Sequence, residues 1–236
     1  MNRSRPIIGL LGGMGWPSTG HYYRTINALA GDRHQTIHVL ADSLAFDDLL
    51  TIAETDGFDA VGDVLAAEAR RLEHAGADVI VLCAVTAHLV HRQVADAVDR
   101  PVPHIGRSIN RHLEAHSAAT FGLLGTKPAL SGDALGLKAA RLLPSRDHLE
   151  ALDRAIRHDI AFGRIGPPQI DIVKRAVSDL ERKGATDIVL ACTELPLLAD
   201  RLETDLPKID AVVLHCRSAL DQVGVVSGSN ARRRTP

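Results

Sequence analysis

Rings are scarce in this chain. Four Phe, two Tyr and one Trp are all that 236 residues contain, so any core must be aliphatic. Cysteine is scarce too: Cys83, Cys192 and Cys216 are few, odd in number and far apart, which excludes a disulfide framework and a zinc site and fits a reducing cytoplasm. No apolar run approaches the roughly 20 residues that cross a bilayer, and the short run Ile7–Leu11 is too brief for a signal-peptide core. Neither charge sign dominates, since the formal net charge is −2. That removes the electrostatic case for nucleic acid or an acidic membrane surface as a partner. The polar, arginine-containing stretch 224–236 reads as a disordered tail. The twelve histidines are not read as a metal motif.

What the chain does have is aliphatic runs alternating with amphipathic segments. Ile7–Leu11, Ile37–Leu40, Val79–Leu82, Thr120–Leu124 and Ile188–Ala191 have the length and branching of buried strands. Val61, Val64, Leu65, Ala69 and Leu72 share one helical face and stop at Gly76; Val173, Ala176, Val177 and Leu180 repeat the arrangement before Gly184. Such alternation predicts an α/β fold with mainly parallel sheets flanked by helices. The chain also resembles itself. Ile8-Gly9-Leu10-Leu11-Gly12 returns as Phe121-Gly122-Leu123-Leu124-Gly125, and the run from Gly76 to Cys83 returns from Gly184 to Cys192. Two pseudo-symmetric half-domains follow: one from residues 6–110 plus about 207–223, the other from 115–206. Ligands of open α/β sheets bind beyond the carboxyl ends of strands, which places a site in the cleft between the halves.

The strand ends carry the chemistry. In Gly12-Gly13-Met14-Gly15-Trp16-Pro17-Ser18-Thr19, glycines let backbone N–H groups approach an anion at a helix start. The dinucleotide fingerprint is incomplete there, because the third glycine is missing and Trp16 is bulky. Cys192-Thr193-Glu194 sets a thiol at a strand end near a helix start, where backbone donors favour thiolate. Cys83-Ala84-Val85-Thr86-Ala87-His88 ends the matching strand of the other half. For a lone cysteine the alternative is an inert small core residue, and for His88 or His215 a packing role.

Taken in order, Gly12-Gly13-Met14-Gly15-Trp16-Pro17-Ser18-Thr19 with Tyr22, Tyr23 and Asn27, then Gly122-Leu123-Leu124-Gly125-Thr126, then Cys192-Thr193-Glu194-Leu195-Pro196-Leu197-Leu198 resemble the cofactor-independent aspartate/glutamate racemases, from about Pro6 to Leu220. The resemblance implies an enzyme that needs neither pyridoxal phosphate nor metal, is commonly a homodimer, and binds a small carboxylate between its halves. It implies two cysteines flanking the substrate α-carbon, one per half. Cys192 matches the second. The first belongs to a Cys-Asn-Thr-x-His segment that reads Ala84-Val85-Thr86-Ala87-His88 here, with alanine at the cysteine position. Counting from the helix-stop glycines pairs Ala84 with Cys192. Counting from Asp78 and Asp187 pairs Cys83 with Cys192 and keeps Cys83 as a second catalytic candidate. One step along a strand turns a side chain to the opposite face, so the two registers differ in kind.

The resemblance therefore implies an isomerase of racemase type with Cys192 as main acid/base, and Gly13, Met14, Thr86, His88, Thr126, Thr193, Glu194 and His215 as substrate-binding candidates. Two other readings stay open. One is a one-cysteine decarboxylase, isomerase or cyclase acting on a less polar carboxylate; the other is an inactive homologue that binds a metabolite or partner. Trp16, Tyr22 and Tyr23 are expected near the cleft.

Overall fold

The structure is a computed structural model that describes residues 5–30, 36–116, 120–131 and 135–225. Most of the expected tail, 226–236, lies outside the described residues.

The first half runs β1 (Ile7–Gly12), α1 (Trp16–Ala30), β2 (His38–Ser43), α2 (Phe46–Thr55), α3 (Phe58–His74), β3 (Val79–Leu82), α4 (His91–Asp96) and α5 (Ile105–His116). The second runs β4 (Phe121–Leu124), α6 (Lys127–Ser131), β5 (Arg141–Leu142), α7 (Arg146–His158), α8 (Pro167–Arg182), β6 (Asp187–Leu190), β7 (Lys208–Asp210) and α9 (Ala211–Gln222). Short 3-10 turns at Thr86–Val90, Ile160–Phe162 and Leu195–Arg201 fill the connections. All strand pairs are parallel, in two sheets ordered β2-β1-β3 and β5-β4-β6-β7. The expected α/β class is what the chain adopts. The sequence runs miss only β5 and β7, which are too short to show a periodic signal.

Alternation along the strands sorts the side chains onto the two faces of each sheet. In the first sheet, Leu11, Ile80 and Leu82 pack with Leu65, Ala69 and Leu72 of α3, while Ile8, Leu10, Val79 and Val81 pack with Tyr22 and Ile26 of α1. In the second, Leu124, Ile188 and Leu190 meet α7 and α8, while Phe121, Leu123 and Val189 face the other way.

The closing helices are exchanged between the halves. Helix α5 lays Ile105, Ile109 and Leu113 on the second sheet, and α9 lays Val212, Cys216, Ala219 and Leu220 on the first. The two helices also pack against each other. This corrects the expected boundaries. Residues 208–210 pair with β6 as the outer strand of the second sheet, so of the segment 207–223 it is α9 that covers the first half. The stretch 105–110, expected in the first half, covers the second. The segments entering the two helices match as well: Ile80 N–H donates to Pro101 O and Ile188 N–H donates to Pro207 O, both at 2.9 Å.

Candidate active site

The ladder fixes which residues of the two halves correspond. β1 pairs Leu11 with Leu82, and β4 pairs Leu124 with Leu190. One residue further, Cys83 N–H donates to Leu11 O at 2.9 Å and Ala191 N–H donates to Leu124 O at 2.7 Å. Cys83 is thus the counterpart of Ala191, and Ala84 the counterpart of Cys192. Strand alternation then decides where each side chain goes. Ala84 and Cys192 line one cavity of about 330 Å3 beyond the strand ends. Cys83 follows Val79 and Val81 to the opposite face, where it is buried among Tyr22, Val212 and Cys216 with its Sγ on Val81 O at 3.5 Å. It does not reach the cavity. Burial also pushes its thiol pKa far up, as for an inert core cysteine.

Around Cys192 the polar groups converge. Its Sγ donates to Glu194 Oε2 at 2.9 Å, and Thr193 Oγ1 donates to the same oxygen at 3.0 Å. All three residues are buried and all three line the cavity. Burial, then the facing Glu194 carboxylate, pushes the Cys192 thiol well up; burial also raises the Glu194 carboxyl. Both shifts favour a protonated thiol hydrogen-bonded to Glu194 over the pre-formed thiolate that a helix-start position alone would favour. The other carboxylate oxygen is seated by the glycine loop. Gly15 has φ +103°, and a Cβ there would stand 2.2 Å from Glu194 Oε1.

Met14, Thr86 and Thr126 also line the cavity. Gly13 does not. Its N–H is spent on Thr19 Oγ1 at 3.0 Å and the N–H of Gly15 on Gly13 O at 2.8 Å, so these two donors serve the turn rather than an anion. A φ of +91° and the backbone of Leu44, 2.1 Å from any added Cβ, explain the glycine at position 13.

His88 and His215 lie behind the cavity wall, not in it. The Nδ1–H of His88 donates to Ala84 O at 3.0 Å. His215 uses both nitrogens, Nε2–H donating to Pro103 O at 2.9 Å and Nδ1 accepting from the Tyr22 hydroxyl at 2.8 Å. With His91 and His104 they form a cluster of four rings. Burial lowers all four pKa values, His104 and His215 to about 4. Among the described residues, no group of three or more His, Cys, Asp or Glu is placed to hold a metal ion. The expected aromatic gathering is also corrected: Tyr22 is locked to His215 in the core, while Trp16 and Tyr23 are exposed on α1 away from the lining.

Sequence reasoning missed the rest of the cavity. α2 and the start of α3 contribute Phe46, Leu49, Leu50, Ala53, Phe58 and Val61, and α7 with the turn after it contributes Ile156, Arg157 and Ala161. The signal available was the apolar spacing of Phe46, Leu49, Leu50 and Ala53 on one face of a short helix with acidic residues between them.

Residues 11–219 match the family model described as Asp/Glu/hydantoin racemase. Among solved structures, the chain is similar to a Yersinia pestis protein assigned as an Asp/Glu racemase (28% identity, TM-score 0.77, covering 92% of this chain and 98% of that one). It is similar to an aspartate racemase homologue from Pyrococcus horikoshii at 25% identity and TM-score 0.74, again covering 92% and 98%. A glycine-to-cysteine variant of arylmalonate decarboxylase shares the fold at 17% identity and TM-score 0.55, covering 98% of this chain and 97% of that one. Among the described residues, no helix is long and apolar enough to cross a membrane.

Proposed function

The chain belongs to the Asp/Glu/hydantoin racemase family, and on that footing we propose that it is a cofactor-independent enzyme moving a proton at the α-carbon of a small carboxylic acid, with Cys192 as its acid/base. The observation that carries this reading is the buried Cys192–Glu194 pair opening onto a cavity whose opposite, symmetry-matched position is Ala84.

A protonated thiol is ready to act as an acid. Cys192 gives its S–H proton to a substrate carbanion, leaving a thiolate beside Glu194. In the reverse sense the thiolate takes the α-proton, and Glu194 is the neighbour through which the thiol proton is taken up or returned. Thr126 and Thr86 supply hydroxyls to the cavity and suit a substrate carboxylate. With alanine at position 84, a second thiol is absent from the facing wall, so proton transfer is one-sided. A two-thiol racemase needs a group on each face of the α-carbon; this site offers one.

That same alanine favours a second reading, in which no base is needed to form the carbanion. Loss of CO2 from a malonate-type acid leaves the electron pair on the α-carbon as an enolate. The Cys192 S–H bond then breaks and its proton goes to that carbon.

Solvent exchange tests both. In D2O the protein is expected to place deuterium on the α-carbon of a carboxylic acid, or of a decarboxylation product, with one handedness. Cys192→Ala is expected to abolish this while leaving the melting temperature close to that of the parent. Exchange that persists in Cys192→Ala refutes the role of the thiol.

A further inference from the structure

The cavity's charge and shape restrict what can enter it. Its described lining holds three ionisable side chains besides Cys192: Glu54, Arg157 and Glu194. Arg157 is the sole cation among them, and its Nε already donates to Asp153 Oδ2 at 3.1 Å. Asp153 is buried and is itself fixed, because its other oxygen accepts from Lys127 N–H at 2.8 Å. Arg157 is about half exposed, so it stands at the mouth with a free guanidinium edge for one carboxylate. Nothing else in the described lining carries positive charge. An amino-dicarboxylate would bring a second carboxylate into a space already holding two acidic side chains.

The other end of the cavity is apolar. Phe46, Leu49, Leu50, Phe58 and Val61 line it from α2 and α3. Leu50 and Phe58 remain 36% and 37% exposed, among the most exposed large apolar side chains described in the chain. Apolar rim residues left open beside a buried reactive thiol are what a substrate's own apolar group would cover. A volume of about 330 Å3 has room for a ring or branched chain in addition to a carboxylate.

We propose that the site takes a monocarboxylate whose α-carbon bears a bulky apolar group, with the carboxylate toward Arg157 and the apolar group on the α2–α3 surface. This deepens the first of the two readings above, proton transfer by Cys192 on an intact monocarboxylate, and rests on it for the reaction though not for binding; a malonate-type acid, with its two carboxylates, is not the ligand it selects. Arg157 then selects for one carboxylate, and Leu50 with Phe58 for the side group.

Binding and exchange are measured separately so that the two ideas can fail separately. By titration calorimetry the intact chain is expected to bind 2-phenylpropionate at least tenfold more tightly than aspartate or glutamate. Leu50→Glu, at the exposed rim, is expected to weaken that binding at least tenfold at an unchanged melting temperature. Phe58→Ala is expected to weaken it too, and serves as the second variant should Leu50→Glu fold poorly. Aspartate or glutamate binding as tightly as the aryl acid would overturn the proposal, as would no binding of the aryl acid or undiminished binding in both folded variants. Aryl-acid binding without α-deuterium exchange would instead count against the proton-transfer reading and leave the ligand class standing.

Discussion

The four-histidine cluster behind the Ala84–His88 turn makes stability depend on pH in a way that one substitution can isolate. His215 is fully buried between the Tyr22 hydroxyl and Pro103 O, with His104 and His91 also facing it, and burial lowers its pKa from 6.5 to about 4. A lowered folded pKa means that the unfolded chain holds the proton more tightly. The contribution is complete above pH 6.5 and is lost as pH falls from there toward 4. For a shift of that size, linkage gives a loss of about 2 kcal/mol between pH 7 and pH 4.5 from this group alone. Other groups titrate over the same range. His88, His91 and His104 add in the same direction; Glu194, whose folded pKa is raised, acts oppositely; Asp159 and Asp179, held low, keep their contribution to lower pH. Comparison with His215→Gln cancels them apart from His88, whose ring stands 5.2 Å from His215 and whose pKa His215 helps to lower; the glutamine amide can still donate to Pro103 O but does not titrate. Urea unfolding of both proteins at pH 7 and pH 4.5 should show the parent losing about 2 kcal/mol more than the variant, at similar m-values. Equal losses in the two proteins would refute the assignment of a neutral, buried His215.

Three further outcomes are expected. Glu194→Gln keeps acceptors for Cys192 and Thr193 but removes the carboxylate that opposes thiolate formation, so the Cys192 pKa should fall; the pH profile of alkylation, with Cys192→Ala as the site control, should move to lower pH. Gly15→Ala combines a φ of +103° with a Cβ placed on Glu194 Oε1; it should cost about 1–3 kcal/mol in denaturant unfolding and disturb that alkylation profile as well. Ala84→Cys puts a thiol on the wall that corresponds to Cys192; α-deuterium exchange confined to one hand in the parent should extend to both hands in this variant, and an unchanged hand preference would count against the facing geometry.

How much of this was legible in the sequence depends on the range of each interaction. Strands of four or more residues announced themselves, as did the repeat joining Ile8–Gly12 to Phe121–Gly125. The exchange of α5 and α9 did not, because both helices are amphipathic and an apolar face does not say which sheet it will cover. For the cysteines, two counting schemes differed by one residue, and sequence spacing could favour one without excluding the other. The deciding facts are two hydrogen bonds: Cys83 N–H to Leu11 O and Ala191 N–H to Leu124 O. The polar triad of Cys192, Thr193 and Glu194 was readable because three consecutive residues carry it. Its protonation state was not, since the raised thiol pKa comes from burial by segments distant in the chain.

The apolar chamber follows from the same logic. In each half the residues just past the third strand face the other half, so whatever occupies them defines one wall of the cavity. The second half keeps a thiol, a hydroxyl and a carboxyl there at Cys192, Thr193 and Glu194, while the first half presents Ala84, Val85 and Thr86 at the corresponding positions. Polar chemistry is therefore concentrated on one wall, and the opposite wall, Thr86 and Glu54 apart, leads into the apolar face of α2 and α3. A substrate that has one reacting face and one greasy face fits such a division, whereas a substrate polar on both faces would leave one of them against carbon. The proposed asymmetry of reaction and the proposed asymmetry of substrate thus trace to the same few residues at the end of β3.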